Sequence, residues 1–131
     1  MRQLVLAARA ARRHAYAPYS RYKVGAAIAT RSGKIFAGCN VENGSYGACL
    51  CAERSAIGQM IAAGESDPVA CAVVTGGERP GSPCGICRQV LSEFARDMPI
   101  ALVGAGRGRA KRRDTTLAAL LPDAFRFPDR T

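Results

Sequence analysis

Two short cysteine segments constrain this chain more than anything else in it: Cys51-Ala52-Glu53-Arg54 and Pro83-Cys84-Gly85-Ile86-Cys87. Each stands where a loop passes into a helical pattern. After Cys51, the residues Ala52, Ala56, Ile57, Met60 and Ile61 recur at helical spacing and stop near Gly64; beyond Cys84, Ile86, Val90, Leu91 and Phe94 do the same. A thiol at a helix N-terminus feels the positive end of the helix dipole, ionises more readily and binds soft metals better. Thiolates from the two helix ends can therefore converge on one zinc ion.

The rest of the chain supplies the elements such a site needs. Leu4, Ala7, Ala8 and Ala11 place an amphipathic helix over Gln3 to Ala15. Tyr16-Ala17-Pro18-Tyr19-Ser20 interrupts it, and Lys23 to Thr30 and Lys34 to Cys39 flank a Ser32-Gly33 turn as a β-hairpin. Val69 to Thr75 and Ile100 to Val103 are further strands, Gly76 to Pro83 is turn-rich, and Thr116 to Leu121 is a short helix stopped at Pro122. Strands alternating with helices predict one α/β domain over 1–131, with helices on the sheet's faces and a mixed sheet opened by the hairpin.

Composition narrows the function classes. The 14 Gly, 7 Pro and 48% hydrophobic residues are those of an ordinary folded domain. Met1 to Ala11 lacks the long apolar stretch of a secretion signal, and no apolar run is long enough to span a membrane, so the expectation is a soluble, cytoplasmic protein. The 6 cysteines then sit in a reducing compartment, where clustered thiols serve metals or catalysis more than disulfides. A formal charge of +9 invites a nucleic-acid partner, yet the densest basic run, Arg107 to Arg113, contains no aromatic residue and reads as a solvated hairpin or loop. Neither nucleic acid nor membrane is expected as a partner.

Three protein ligands leave zinc's fourth position for water, which the metal makes acidic near neutral pH. Glu53, two residues beyond Cys51 in the same helical turn, is placed to act as a general base without ligating. Thiolates on the metal oppose hydroxide formation, so Arg54 and the helix dipoles are expected to offset that charge. Two other readings use the same cysteines. A redox dithiol at Cys84 and Cys87 would require neither Cys51 nor Glu53. A closed structural zinc site would take Cys49 as a fourth thiolate, although Cys39, Cys49 and Cys71 read as small buried hydrophobes. His14, the one histidine, lies far from the cysteines and suits a surface or helix-end role.

Taken together, Cys51-Ala52-Glu53 and Pro83-Cys84-Gly85-Ile86-Cys87-Arg88-Gln89 closely resemble the small zinc-dependent cytidine deaminases. Tyr16 to Ser20, Val24-Gly25-Ala26-Ala27, Gly38 to Asn43 and Leu120-Leu121-Pro122 look like landmarks of the same family. The resemblance implies a three-layer α-β-α sandwich around a mixed five-stranded sheet, one Zn2+ per subunit held by Cys51, Cys84 and Cys87, and hydrolytic deamination of cytidine and 2'-deoxycytidine with Glu53 carrying protons. It further implies substrate contacts from Asn40, Val41 and Glu42 on the sugar side and from Ala52 and Tyr22 on the base side. Tyr22 stands where the family commonly has Phe. A homotetramer with shared sites is implied too, Phe125 and Tyr46 reaching a neighbouring subunit's pocket. Blasticidin-type and nucleic-acid cytosine deaminases carry similar segments, but Asn40 to Asn43 favours a free nucleoside.

Overall fold

The computed structural model describes residues 1–106 and 111–128. The hairpin comes first in the sheet. Strand β1 (Val24–Thr30) turns through Gly33, whose φ of +93° suits glycine, into β2 (Ile35–Cys39), and Thr30 and Lys34 close the turn with backbone hydrogen bonds. The remaining strands are β3 (Pro68–Thr75), β4 (Pro99–Gly104) and β5 (Arg112–Thr116), and the sheet order is β2-β1-β3-β4-β5. Only β3 and β4 run parallel; the other neighbours are antiparallel. A parallel pair needs a crossover. Helix α3 (Gly85–Phe94) supplies it.

Two helical layers cover this sheet. Helix α1 (Arg2–Arg12) buries Leu4 and Ala8 against Ala27, Ala72, Val74, Ala101 and Val103. On the other face α2 (Ala52–Ala62) and α3 bury Ala56, Ile57, Met60 and Leu91 against Ala26, Ile28, Val73, Ile100 and Leu102. A fully buried Leu or Ile contributes roughly 1.5–3 kcal/mol by leaving water, so this face supplies much of the cohesion. Helix α4 (Leu117–Leu120) is capped by Thr116, whose hydroxyl accepts from the Ala119 amide at 3.1 Å.

Small residues set how closely these layers approach. A Cβ on Gly25 would stand 2.0 Å from the Ala8 carbonyl oxygen of α1, and one on Gly38 would stand 2.6 Å from the Ala56 amide of α2. One glycine in each hairpin strand thus admits one helix.

The three-layer sandwich with a mixed five-stranded sheet is as expected, with two differences in detail. The first helix ends at Arg12 rather than Ala15: Arg13 and His14 form a turn, and the Tyr16 amide donates to the Asn40 carbonyl. His14 is exposed there. Part of the expected basic turn is instead the edge strand β5, since Arg112 and Arg113 pair with Val103 and Leu102; positions 107–110 of the run lie outside the described residues. Among the described residues, no helix is long and apolar enough to cross a membrane.

Candidate active site and metal centre

Both cysteine-bearing helices begin where the spacing predicts. Cys51 is the N-cap of α2 and Cys84 the N-cap of α3, both with extended backbone, and neither thiol caps its own helix. Their sulfurs are thus free to turn toward each other. Cys51 Sγ and Cys84 Sγ lie 3.8 Å apart, and with Cys87 Sγ all three fall within 4.8 Å of one another. Tetrahedral zinc with Zn–S bonds of about 2.3 Å separates its thiolates by about 3.8 Å, so the donor set fits that ion. Cys49 is not of the group: its thiol points to the Asn43 carbonyl at 3.7 Å. That leaves three thiols and no fourth among the described residues, against the closed structural site. Cys71 is buried as expected, whereas Cys39 and Cys49 are only half-buried.

The electrostatics favour a thiolate here. Hydrogen bonding from Cys87, then Arg54 and Cys84, holds the Cys51 thiol down to about 5, whereas the Cys87 thiol is pushed up, first by its bond to Cys51. The Arg54 guanidinium donates through Nη2 to the Cys49 carbonyl at 3.2 Å and toward Cys51 Sγ at 3.6 Å. Its charge thus sits against the cluster. Glu53 is 4% exposed, and burial, helped by the Cys51 charge, pushes its carboxyl up to about 7 despite its own backbone amide and Arg54. A carboxyl poised near neutrality can both accept and return a proton.

Cys51, Glu53 and Cys84 meet in a cavity of about 280 Å³ lined also by Tyr22, Asn40, Glu42 and Ala52, with Ser20, Val24, Val73, Thr75 and Ser82 completing the wall. That is near the small end of ligand pockets. Tyr22 stands at the mouth, its hydroxyl and ring against Gly81 and Gly76; a Cβ on Gly81 would stand 2.7 Å from the phenolic oxygen. Asn40 accepts from the Val24 amide and donates to the Tyr22 carbonyl, both at 2.8 Å. Glu42 accepts from the Tyr19 and Ser20 amides at 2.9 and 3.1 Å and from the Ser20 hydroxyl. The Ser20 hydroxyl, followed by the two amides, holds the Glu42 carboxyl below its ordinary range.

Val41, Tyr46 and Phe125 do not line this chain's own cavity; of these, Tyr46 and Phe125 are the two that the resemblance assigns to a neighbouring subunit's pocket. Val41 does not line the cavity: its amide and carbonyl pair with those of Leu50, so it fixes the backbone between Asn40 and Glu42. Tyr46 is exposed on a short 3-10 turn, edge-on to Tyr19 with ring centroids 6.5 Å apart. Phe125 lies beyond α4, 67% exposed, its carbonyl held by Gln89 Nε2 at 3.0 Å, and it faces Phe127 rather than its own chain's cavity. Conversely, Ser20 and Thr75 went unassigned. Ser20 lies inside the Tyr16 to Ser20 motif, whose sequence gives no role for its hydroxyl; nothing in its neighbourhood signals that Thr75 accepts from the Gly81 amide at 2.8 Å.

Comparison with known proteins agrees with this geometry. Residues 1–102 match the sequence model of the cytidine and deoxycytidylate deaminase zinc-binding region. The chain is 42% identical over 128 residues to a cytidine deaminase of Sporosarcina psychrophila, spanning 97% of this chain and 92% of that one. It is 43% identical over 120 residues to the cytidine deaminase of Halalkalibacterium halodurans, spanning 91% and 89%. The crystal structure of a cytidine deaminase from Burkholderia pseudomallei superposes with a TM-score of 0.86 at 49% identity, covering 95% of this chain and 98% of that one. With its thiol cluster, buried glutamate and sheet order all in place, the chain belongs to the cytidine and deoxycytidylate deaminase family.

Proposed function

We propose that this chain is a zinc-dependent hydrolase that converts cytidine to uridine and 2'-deoxycytidine to 2'-deoxyuridine, releasing ammonia. One observation carries the reading: a buried glutamate, Glu53, shares a cavity with Cys51, Cys84, Asn40 and Glu42, and the sulfurs of Cys51, Cys84 and Cys87 converge at its edge. Cys51, Cys84 and Cys87 would hold the zinc, which when bound supplies Lewis acidity toward water near neutral pH.

Glu53 takes a proton from the attacking water and delivers it to N3 of the base as the water oxygen bonds to C4. The same carboxyl, now ionised again, takes the second proton from the C4 hydroxyl and passes it to the exocyclic amine; the C4=O bond forms as the C4–N4 bond breaks and ammonia leaves. Arg54 offsets the thiolate charge so that water can still ionise. The Ala52 amide at the first turn of α2 orients the base, and Tyr22 stacks against it. Asn40 and Glu42 take the ribose hydroxyls, and the Glu42 carboxylate repels a 5'-phosphate, which selects nucleosides over nucleotides.

Phe125 and Tyr46, both exposed and off their own cavity, suit contribution to a neighbouring subunit's site in a homotetramer of single-domain chains. A cytoplasmic setting accompanies this reading, since open thiol ligands need reducing conditions. The test is loss of ultraviolet absorbance when zinc-loaded protein meets cytidine or 2'-deoxycytidine, beside cytosine, CMP and a cytosine-containing oligonucleotide. Turnover of cytidine and deoxycytidine alone supports the reading. Turnover of the oligonucleotide with cytidine untouched would contradict it.

A further inference from the structure

The two ends of the cavity are tied together by one loop, and one hydroxyl sits at the knot. Residues 16–24 are stitched along 40–42: the Tyr16 amide donates to the Asn40 carbonyl at 3.0 Å, the Glu42 amide to the Tyr16 carbonyl at 2.8 Å, and the Asn40 amide to the Val24 carbonyl at 3.1 Å. Within that seam the Ser20 hydroxyl makes two bonds of opposite sense. It donates its proton to Glu42 Oε2 and accepts from the Tyr22 amide, N to Oγ being 3.0 Å. Its own amide and that of Tyr19 hold the other carboxylate oxygen. Arg21, between Ser20 and Tyr22, has a φ of +59°, a left-handed conformation that a non-glycine residue adopts at a cost. The Tyr22 amide to Ser20 Oγ bond closes a local turn around that residue and holds it.

We propose that Ser20 is a positioning residue that couples sugar recognition to base recognition, because its hydroxyl fixes the Glu42 carboxylate and the Tyr22 backbone at once. This rests on the deaminase reading above only in assigning which part of the nucleoside each end receives. The coupling has a direction. A carboxylate is the stronger acceptor, so the hydroxyl proton points to Glu42 and a lone pair is left for the Tyr22 amide. The Tyr22 carbonyl is held at the same time by Asn40 Nδ2 at 2.8 Å, so both polar backbone groups of the base-side aromatic are anchored by the sugar-side wall. A ribose hydroxyl that binds Glu42 then meets a carboxylate already oriented, and binding does not have to order the Tyr22 loop.

Three variants test this, Ser20→Ala, Ser20→Thr and Glu42→Gln, with two readouts. The first is steady-state cytidine kinetics. Ser20→Ala should raise KM about tenfold with kcat within about twofold, as expected for losing one hydrogen bond to a charged group used in binding. Ser20→Thr, which keeps the hydroxyl, should stay within about threefold of the parent. Adding Ser20→Ala to Glu42→Gln should cost less than about threefold more, since the carboxylate it acts through is already gone. The second readout needs no substrate: hydrogen exchange at the Tyr22 amide should speed up in Ser20→Ala and also, to a smaller degree, in Glu42→Gln. An unchanged KM in Ser20→Ala, additive effects in the double variant, or Tyr22 exchange indifferent to Glu42→Gln would each overturn the coupling. A parent protein inert toward cytidine would instead overturn the assigned reaction, and the exchange data would still decide whether Ser20 couples the two residues.

Discussion

The thiol end of the cavity and the sugar end are built by different physics. Cys51, Ala52, Glu53, Cys84 and Cys87 stand on the first turns of two helices whose apolar faces lock them to the sheet, and Glu53 and Cys87 are buried. Ser20 and Tyr22 are exposed and Glu42 is half-buried, and all three owe their places to side-chain and backbone hydrogen bonds between loops. Packing fixes a group to within a fraction of an ångström at a large energetic cost of displacement. Loop hydrogen bonds, each contributing on the order of 1 kcal/mol net, leave it adjustable. On the proposed function, reaction geometry would thus sit on the stiff part and substrate selection on the softer one.

That contrast can be broken first at the stiff end. Cys87→Ala removes one of three ligands and should abolish detectable turnover while the zinc content of dialysed protein falls well below one equivalent. Zinc retained at full stoichiometry would mean that Cys87 does not hold the metal. Next is the packing that carries the hairpin: Gly25→Val drives a side chain into the Ala8 carbonyl and the Arg12 amide of α1, and should destabilise the fold by about 3 kcal/mol or more in denaturant unfolding. An unaltered midpoint would show that α1 has room to move away from the sheet.

At the soft end the effects should be smaller and of another kind. Glu42→Gln should raise KM for cytidine about tenfold with little change in kcat, whereas an equal fall in kcat would place Glu42 in the transition state rather than in binding. Acid should act there too. The folded Glu42 carboxyl titrates below its ordinary range because Ser20 and the Tyr19 and Ser20 amides bind the charged form. Its contribution to stability is therefore complete above the ordinary carboxylate range and is lost as pH falls through the lowered value. Glu42→Gln should show a slightly flatter loss of stability across that acid window, measured as the unfolding midpoint; an identical slope would mean that the tether is not formed in solution.

The same division decides what could be read from the chain alone. Helix periodicity after Cys51 and Cys84 placed both helix starts, and with them the thiols and Glu53, because backbone geometry within one turn is local. Edge strand β5 is not legible in Arg112-Arg113-Asp114-Thr115-Thr116, which has no apolar alternation; an exposed edge tolerates charge, and its partner β4 supplies the pairing. The first helix stopped short of Ala15 because the Tyr16 amide is taken by Asn40, a contact from a distant segment. Ser20 was invisible as a linker for the same reason. Its two partners, Glu42 and Tyr22, converge only once the loop has been laid along residues 40–42.

The central claim is that Glu53 moves protons at a metal held by three thiolates, and the measurement that meets it most directly is zinc content and cytidine turnover of Glu53→Gln beside the parent protein. The account predicts about one zinc per chain in both, with kcat reduced by about 10³-fold or more in the variant, as expected for loss of a general acid and base. Full turnover in the zinc-replete variant would contradict it.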